Sequence, residues 1–426
     1  MTSTQGESSR DSLEVHAEIA GSTVLAGRAQ FHRARGKLTS TTFQYDSAYL
    51  ALPAAYEIDP ALRLVTGTQH TRGLPGAFAD SAPDRWGRNL IKKRERTLAR
   101  RESRRPHDFD EVDFLVNVSD ITRQGALRYR ATGDADSSSF LDPKPRVPKL
   151  IQLPALLRAA DSAVQDAGDD DFEAVKLLLG AGTGSLGGAR PKAAVIDEGG
   201  RQLIAKFPHH EDAWDVMAWE ASALDLAAAA GVEVPPHQIT RIDGRHLLLL
   251  DRFDRVGSGA QHRIGYMSAM TLLEQRDGEV ADYSDIADRL AEVSDRPNED
   301  AWQLFRRVAV NVGLNNTDDH LRNHGFLRGR AGWHFSPAFD VNPNPDPELR
   351  QTTIAGAETP AHEAEGLMAL AGSCRLSPPQ AREVLAEVAE AISHWRETAA
   401  ANNVPASQFA RFTDSFETGI RTLRAA

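Results

Sequence analysis

An aspartate and an asparagine stand five residues apart at Asp318 and Asn323, in the polar stretch TDDHLRNHG that follows an apolar helical pattern. At that spacing a carboxylate can accept a hydroxyl proton while the amide oxygen helps to hold Mg²⁺ beside a phosphate. A further carboxylate, Asp340, follows a short strand pattern in SPAFDVNP and offers the hard oxygen that Mg²⁺ takes together with water and phosphate. Upstream, Lys206 lies in the apolar strand pattern QLIAKF, and before it run the glycines of GTGSLGG, whose backbone can approach phosphates closely. Each carboxylate alone reads most simply as a turn or cap residue. In this order, however, the glycine loop, Lys206, Asp318, Asn323 and Asp340 point to phosphoryl transfer from ATP with Mg²⁺ as the charge-neutralising ion.

Rival chemistries fit less well. Gly182-x-Gly184-x-x-Gly187 has dinucleotide-loop spacing, but a dinucleotide site needs a helix directly after the glycines. Here AAVID, the turn EGG and RQLIAKF follow, which read as a strand hairpin, and no Gly-Lys-Ser/Thr completes a Walker A loop. His320 and His324, four apart, could share a metal on a helix, yet the glutamate of a zincin and a third ligand are missing. Ser185 lacks the Gly-x-Ser-x-Gly elbow of a hydrolase nucleophile. The single cysteine, Cys374, excludes an internal disulfide, a four-cysteine zinc site and a cysteine-held iron–sulfur cluster; its apolar helical context makes it a small core residue.

The elements that must position these groups follow from periodicity. A helix is expected over residues 211–230, where Glu220 is a candidate partner for Lys206, and RHLLLLDRFDR reads as a strand whose exit would hold the adenine edge through Asp251 and Phe253. From Gly257 on, the chain reads as mostly helical, interrupted by the site loop and a short strand pair, FLRGRAGWHF. Toward the N-terminus, STVLAGRAQF, TTFQYD and RLVTG read as strands, and a basic helix runs from Arg85 to Arg105 with ten basic residues against Glu95 and Glu102. The division expected is a disordered 1–12, a β-rich subdomain over 13–130, a linker over 131–148, a nucleotide lobe over 149–256 and a helical lobe over 257–426.

Composition bounds the function classes. With 426 residues, 41% apolar, and a net charge of −11, the chain is an ordinary globular one, too long for a single core. The acidity argues against a nucleic-acid wrapper or a membrane-surface protein; any DNA contact is expected through a partner or locally through Arg85–Arg105, a segment that reads either as a solvated helix face or as a contact surface for an acidic partner or nucleic acid. Only eight lysines occur, none after Lys206, although twenty arginines do. A lysine kept in an apolar strand is therefore conspicuous, because ammonium and guanidinium groups are not interchangeable. The N-terminus lacks a signal-peptide core and no apolar run is long enough to span a bilayer, so a cytoplasmic location is expected.

GLPGAFADSAPDRWGR, GSLGGARPK, LIAKFP, DRFDR, TDDHLRNHGFL and SPAFDVNP, in this order, resemble the signature blocks of the HipA family, serine/threonine kinase toxins of bacterial type II toxin–antitoxin systems. The resemblance covers nearly the whole chain. It implies an α+β, protein-kinase-like two-lobed fold with an extra N-terminal β-rich subdomain and an all-helical C-terminal lobe. It also implies ATP contacts from Gly184, Ser185, Leu186, Gly187, Lys206, Asp251, Phe253, His320, Asn323 and Asp340, with Asp318 as catalytic base and Asn323 and Asp340 on Mg²⁺. Ser185 would be the autophosphorylation site, whose phosphate ejects the loop and silences the kinase. Family partners are a helix-turn-helix antitoxin on its operator DNA and substrates that include aminoacyl-tRNA synthetases. Two positions depart from the pattern: Asp319 stands where a small residue is usual, adding like charge beside Asp318, and Arg322 where lysine is usual. A pseudokinase that binds nucleotide or docks on an antitoxin is the alternative reading.

Overall fold

The computed structural model describes residues 11–132, 139–141, 147–165, 170–182, 190–257 and 262–426. It divides into two compact units, one made of the chain up to His210 plus Asp254–Met267, the other of Glu211–Phe253 plus Ser268–Ala426. Among the described residues no helix is long and apolar enough to cross a membrane.

The first unit is built on an antiparallel sheet of β1 (Ser12–Ile19), β2 (Ser22–Ala34), β3 (Lys37–Tyr45), β4 (Thr68–Arg72) and β5 (Leu127–Ala131), in the order β4-β3-β2-β1-β5. Two-residue loops join the first three strands. Ala20–Gly21 and Arg35–Gly36 both have positive φ at both positions, the type I′ geometry whose twist matches that of the strands. Leu13, Val15, Phe43 and Tyr129 alternate into the buried face, where Phe43 and Phe78 meet edge to face with ring centroids 6.2 Å apart. Ser12, expected in the disordered terminus, already belongs to β1. RLVTG does not form a strand: Val65 is half exposed, and β4 starts only at Thr68. The basic helix forms over Arg85–Arg101, with the Asp84 carboxylate accepting from the Gly87 N–H as its N-cap.

A second hairpin in this unit, β6 (Lys192–Ile196) and β7 (Gln202–Lys206), turns at the expected EGG. It is followed, beyond the stretch assigned to the second unit, by Asp254 and Arg255. These return to the first unit for a specific reason: Asp254 Oδ2 accepts from the Gly125 N–H at 2.8 Å, and Arg255 Nη2 donates to the Arg123 carbonyl at 2.5 Å. Arg123 is itself fully buried and spends its guanidinium on the carbonyls of Ser81, Leu115 and Val118. The boundary read at 256 from the sequence therefore differs from the compact units, which are discontinuous in the chain.

In the second unit β8 (His237–Ile242) and β9 (Arg245–Asp251) form a hairpin through Asp243–Gly244, again with positive φ at both positions. The helix over Val216–Ala229 starts later than the expected 211 because Asp215 caps it, and it ends before Gly231 at φ +78°. Its Trp219 packs against Phe412 and Trp395, with ring centroids 4.0 and 6.0 Å away. The pattern after Pro378 breaks at His394 into Pro378–Ser393 and Trp395–Ala401. The Pro297–Gly313 helix runs through the core of this unit. A Cβ on Gly419 would lie 2.5 Å from the Val312 carbonyl oxygen, so two helices touch backbone to backbone there. Short strands, Gly325–Arg328 with Trp333–Phe335 and Ala281–Asp282 with Thr352–Thr353, sit among these helices.

Candidate active site

The Pro297–Gly313 helix ends where Asn315 takes φ +51°, the left-handed turn that lets the chain leave a helix. It delivers the loop Asn316–Asn323, closed by a single 3₁₀ turn over Leu321–Asn323. Within that loop the two adjacent aspartates are separated by burial. Asp318 is exposed; Asp319 is 5% exposed and turned into the unit.

Asp319 holds the loop. Its Oδ2 accepts from the Tyr283 hydroxyl at 2.5 Å, from Asn311 Nδ2 at 2.7 Å and bonds His324 Nε2 at 2.8 Å, while its carbonyl accepts from the Thr352 hydroxyl at 2.7 Å. Burial would raise its pKa, but the charge and hydrogen bond of His324 and the Tyr283 hydroxyl overcome this and hold the carboxyl below its ordinary value. The same contact gives His324 a structural partner, so its Nε2 is committed to a carboxylate rather than to His320.

Asp318 points the other way. Gln351 Nε2 donates to its Oδ1 at 2.6 Å, and Asn323 Nδ2 donates to its backbone carbonyl at 3.3 Å. Its pKa is raised, first by partial loss of its water shell; His320 opposes this, while the carboxylates of Asp340, Asp319 and Glu348 add to it. The charge that Asp319 places beside Asp318 thus acts in the expected direction, although desolvation is the larger cause. That Asp340 and His320 both act on Asp318 brings three of the sequence-derived residues to one locality. Arg322, by contrast, pairs with Asp277 at 3.0 Å on an exposed surface.

Asp340 has φ +60°, a conformation that costs a non-glycine residue of the order of 1–3 kcal/mol and that clusters at functional sites. Just before it, Phe339 lies against Phe253, the rings 5.5 Å apart, so the exit of β9 sits beside the Asp340 segment. Asp251 is the last residue of β9, its N–H bonded to the Pro236 carbonyl at 2.8 Å. The donor set suits Mg²⁺. With its Nδ2 spent on Asp318, the oxygen of Asn323 is left as an acceptor, Asp340 supplies a carboxylate, and the buried Oδ1 of Asn342 has no hydrogen-bond partner among the described residues. These are hard oxygens, few in number, of the kind that leave coordination positions to phosphate and water.

Behind Asn323 lies a cavity of about 20 Å³, lined among others by Asp319, His324, Phe339 and Arg307. Arg307 is buried, donates from Nη2 to the Ser336 carbonyl and stacks on Phe335 at 4.2 Å; its Nε and Nη1 have no partner among the described residues. Burial pushes its pKa down to about 10.

In the first unit Lys206 closes β7, 7% exposed, and stands directly opposite Lys192 on β6. Sequence reasoning missed Lys192, which is fully buried and pairs with Asp84 at 2.9 Å. The signal was present, since it is a second rare lysine inside an apolar strand, KAAVI. Gln351, Tyr283 and Asn311 were also missed, and their sequence context carries no mark of the role. Glu220 is buried on the Val216–Ala229 helix. Gly184, Ser185, Leu186 and Gly187 lie outside the described residues.

Comparison with known proteins completes the site's context. Residues 184–395 match the family profile of the HipA-like C-terminal domain, and residues 23–130 that of the HipA N-terminal domain. A curated relative, the putative kinase Y4mE of Sinorhizobium fredii (strain NBRC 101917 / NGR234), is 25% identical over 231 residues, which cover 50% of this chain and 53% of the relative. The chain thus spans about half the length of the curated relative it matches. Among solved structures, that of the Shewanella oneidensis MR-1 toxin–antitoxin system HipA, HipB and its operator DNA superimposes with a TM-score of 0.65 at 15% identity, over 97% of both chains. That likeness is one of fold.

Proposed function

The chain belongs to the HipA family, and from that premise we propose that it is an ATP- and Mg²⁺-dependent protein kinase acting as the toxin of a toxin–antitoxin pair. The observation that carries the reading is the Asp318–Asn323 loop: an exposed carboxylate steered by Gln351, tied through its own carbonyl to Asn323, and under the charge of Asp340.

The protein's part is positioning and electrostatics rather than covalent chemistry. Asp318 orients a serine or threonine hydroxyl of the acceptor and takes its proton at the carboxylate. Gln351 fixes the carboxylate's direction. Asn323 and Asp340 are the residues that would hold Mg²⁺, and Lys206 with the Gly184–Gly187 loop those that would hold the phosphates; when bound, Mg²⁺–ATP supplies the phosphoryl group and its charge neutralisation. Phe253 and Asp251 are the residues proposed for the adenine end, and His320 for the phosphate side; the contact of Phe253 with Phe339, next to Asp340, supports this. Phosphorylation of Ser185 would add a dianion to a glycine-flanked loop that has to cover phosphates, and so would switch the enzyme off. A HipB-like helix-turn-helix antitoxin is the partner expected, since the solved relative is a complex with HipB and operator DNA.

The test is incubation of the purified chain, alone and with a bacterial lysate, with ATP and Mg²⁺, followed by phosphosite mass spectrometry. Phosphate on Ser185 or on a lysate serine, lost in Asp318→Ala while that variant keeps its fold, is the expected result. Nucleotide binding without phosphate on any protein would make the chain a pseudokinase module instead, and phosphorylation undiminished in Asp318→Ala would remove Asp318 from its role.

A further inference from the structure

The basic helix over Arg85–Arg101 is not consumed by the site, and the structure sorts its cations into two sets. One set is spent inside the first unit. Arg88 forms a bidentate pair with Glu111 at 2.8 and 2.6 Å, Lys93 donates to the Ala163 carbonyl at 3.0 Å, Arg94 to Asn117 at 2.8 Å, and Arg101 lies over the Phe172 ring. The other set is Arg85, Lys92, Arg96 and Arg100. All four are exposed, and among the described residues none has an ion-pair partner within 4 Å; Lys92 lies over the Phe114 ring, at 5.4 Å, and its charge adds a minor part to the lowering of the Asp108 carboxyl.

The second set forms a line. Steps of seven, four and four residues at 100° each keep the four side chains within an arc of about 80°, and the 1.5 Å rise spreads them over about 22 Å of helix length. Beside this line opens a groove of about 530 Å³, lined by Lys92, Arg96, Asn89, His107 and two acids, Glu95 and Asp108. Both acids are already neutralised from within: Glu95 by Arg104, which holds its carboxyl below the ordinary value, and Asp108 by Lys37 at 2.7 Å. The groove therefore keeps an uncompensated positive wall, on a chain whose net charge is −11.

We propose that this helix face binds the phosphate backbone of duplex nucleic acid without reading its sequence. Regularly spaced single cations on a polar face match a row of phosphates. An acidic protein partner fits less well, because a protein interface centres on buried apolar or aromatic anchors. No large hydrophobic residue between 85 and 109 is exposed, whereas nucleic-acid interfaces are polar and strongly basic.

The experiment is fluorescence anisotropy of the full chain on a labelled 20-base-pair duplex of arbitrary sequence, between 50 and 200 mM salt. Four phosphate contacts predict a log–log salt slope of about −3.6, hence a loss of affinity of about 10²-fold over that range. Lys92→Gln, Arg96→Gln and Arg100→Gln together are expected to flatten the slope by about 2.7 and leave the circular dichroism spectrum unchanged. A slope unaltered by the triple change would overturn the proposal. So would a chain that ignores the duplex and instead binds polyglutamate through these residues, which would make the face a docking surface for acidic protein.

Discussion

Replacing Asp319 tests whether the loop's geometry depends on the carboxylate that faces inward rather than on the one that faces out. In Asp319→Ala the Tyr283 hydroxyl, Asn311 Nδ2 and His324 lose their shared acceptor, all three in a buried setting. Hydrogen bonds to a charged group contribute about 1.5–3 kcal/mol each, but they are not additive here, and breaking a buried charged cluster typically costs about 3–5 kcal/mol in total. Taking about 4 kcal/mol for a body of about 200 residues, where 1 kcal/mol moves the midpoint by about 2–4 °C, the expected drop is about 8–16 °C. Asp319→Asn keeps the shape and one acceptor for three donors, so about half that drop is expected. Scanning calorimetry of parent and variants reads both. The pH dependence adds an independent check. Because the folded-state pKa of Asp319 is lowered, its stabilisation is fully present above the unfolded value and is lost as pH falls through the folded one. The gap between parent and Asp319→Asn must therefore shrink on acidification. An Asp319→Ala protein melting within about 2 °C of the parent, yet devoid of phosphotransfer, would refute the structural role and make Asp319 part of the chemistry.

Two further outcomes follow from neighbouring groups. Since the pKa of Asp318 is raised and the base must be ionised, activity should fall on acidification with a midpoint above that of an ordinary aspartate; Gln351→Leu removes a donor to the charged form and should move that limb to still higher pH, as a pH–rate profile would show. Arg307→Met removes a buried guanidinium two of whose nitrogens have no partner among the described residues, so the melting midpoint should hold or rise; a drop of more than about 5 °C would mean that the Ser336 carbonyl and the Phe335 ring stabilise the charge more than burial penalises it.

What the sequence made legible was local. RHLLLLD announces a strand, EGG a turn, and Asp318 to Asn323 a spacing, and each depends on residues a few positions apart. The same locality explains what stayed hidden. The Asp319 cluster draws on Tyr283, Asn311, His324 and Thr352, and Gln351 reaches Asp318 from 33 residues away. Lys192 and Asp84 are 108 residues apart. Polar pairs at such distances leave no periodic trace, because nothing in a run of sequence states which buried donor will meet which acceptor. RLVTG failed for a related reason: β propensity is a matter of fit to a half-buried surface, and Val65 finds none.

The return of Asp254 and Arg255 to the first unit has a consequence for how the chain is made. Synthesis proceeds from the N-terminus, and domains generally fold as they emerge. Here the first unit lacks the side chain that accepts from the Gly125 N–H, and the one that donates to the Arg123 carbonyl, until residues 254 and 255 have left the ribosome. By then the whole of Glu211–Phe253, which belongs to the other unit, has been made. The Gly125 N–H and the carbonyl of that buried arginine stay without these partners while a helix and a hairpin of the neighbouring unit pass through the exit tunnel.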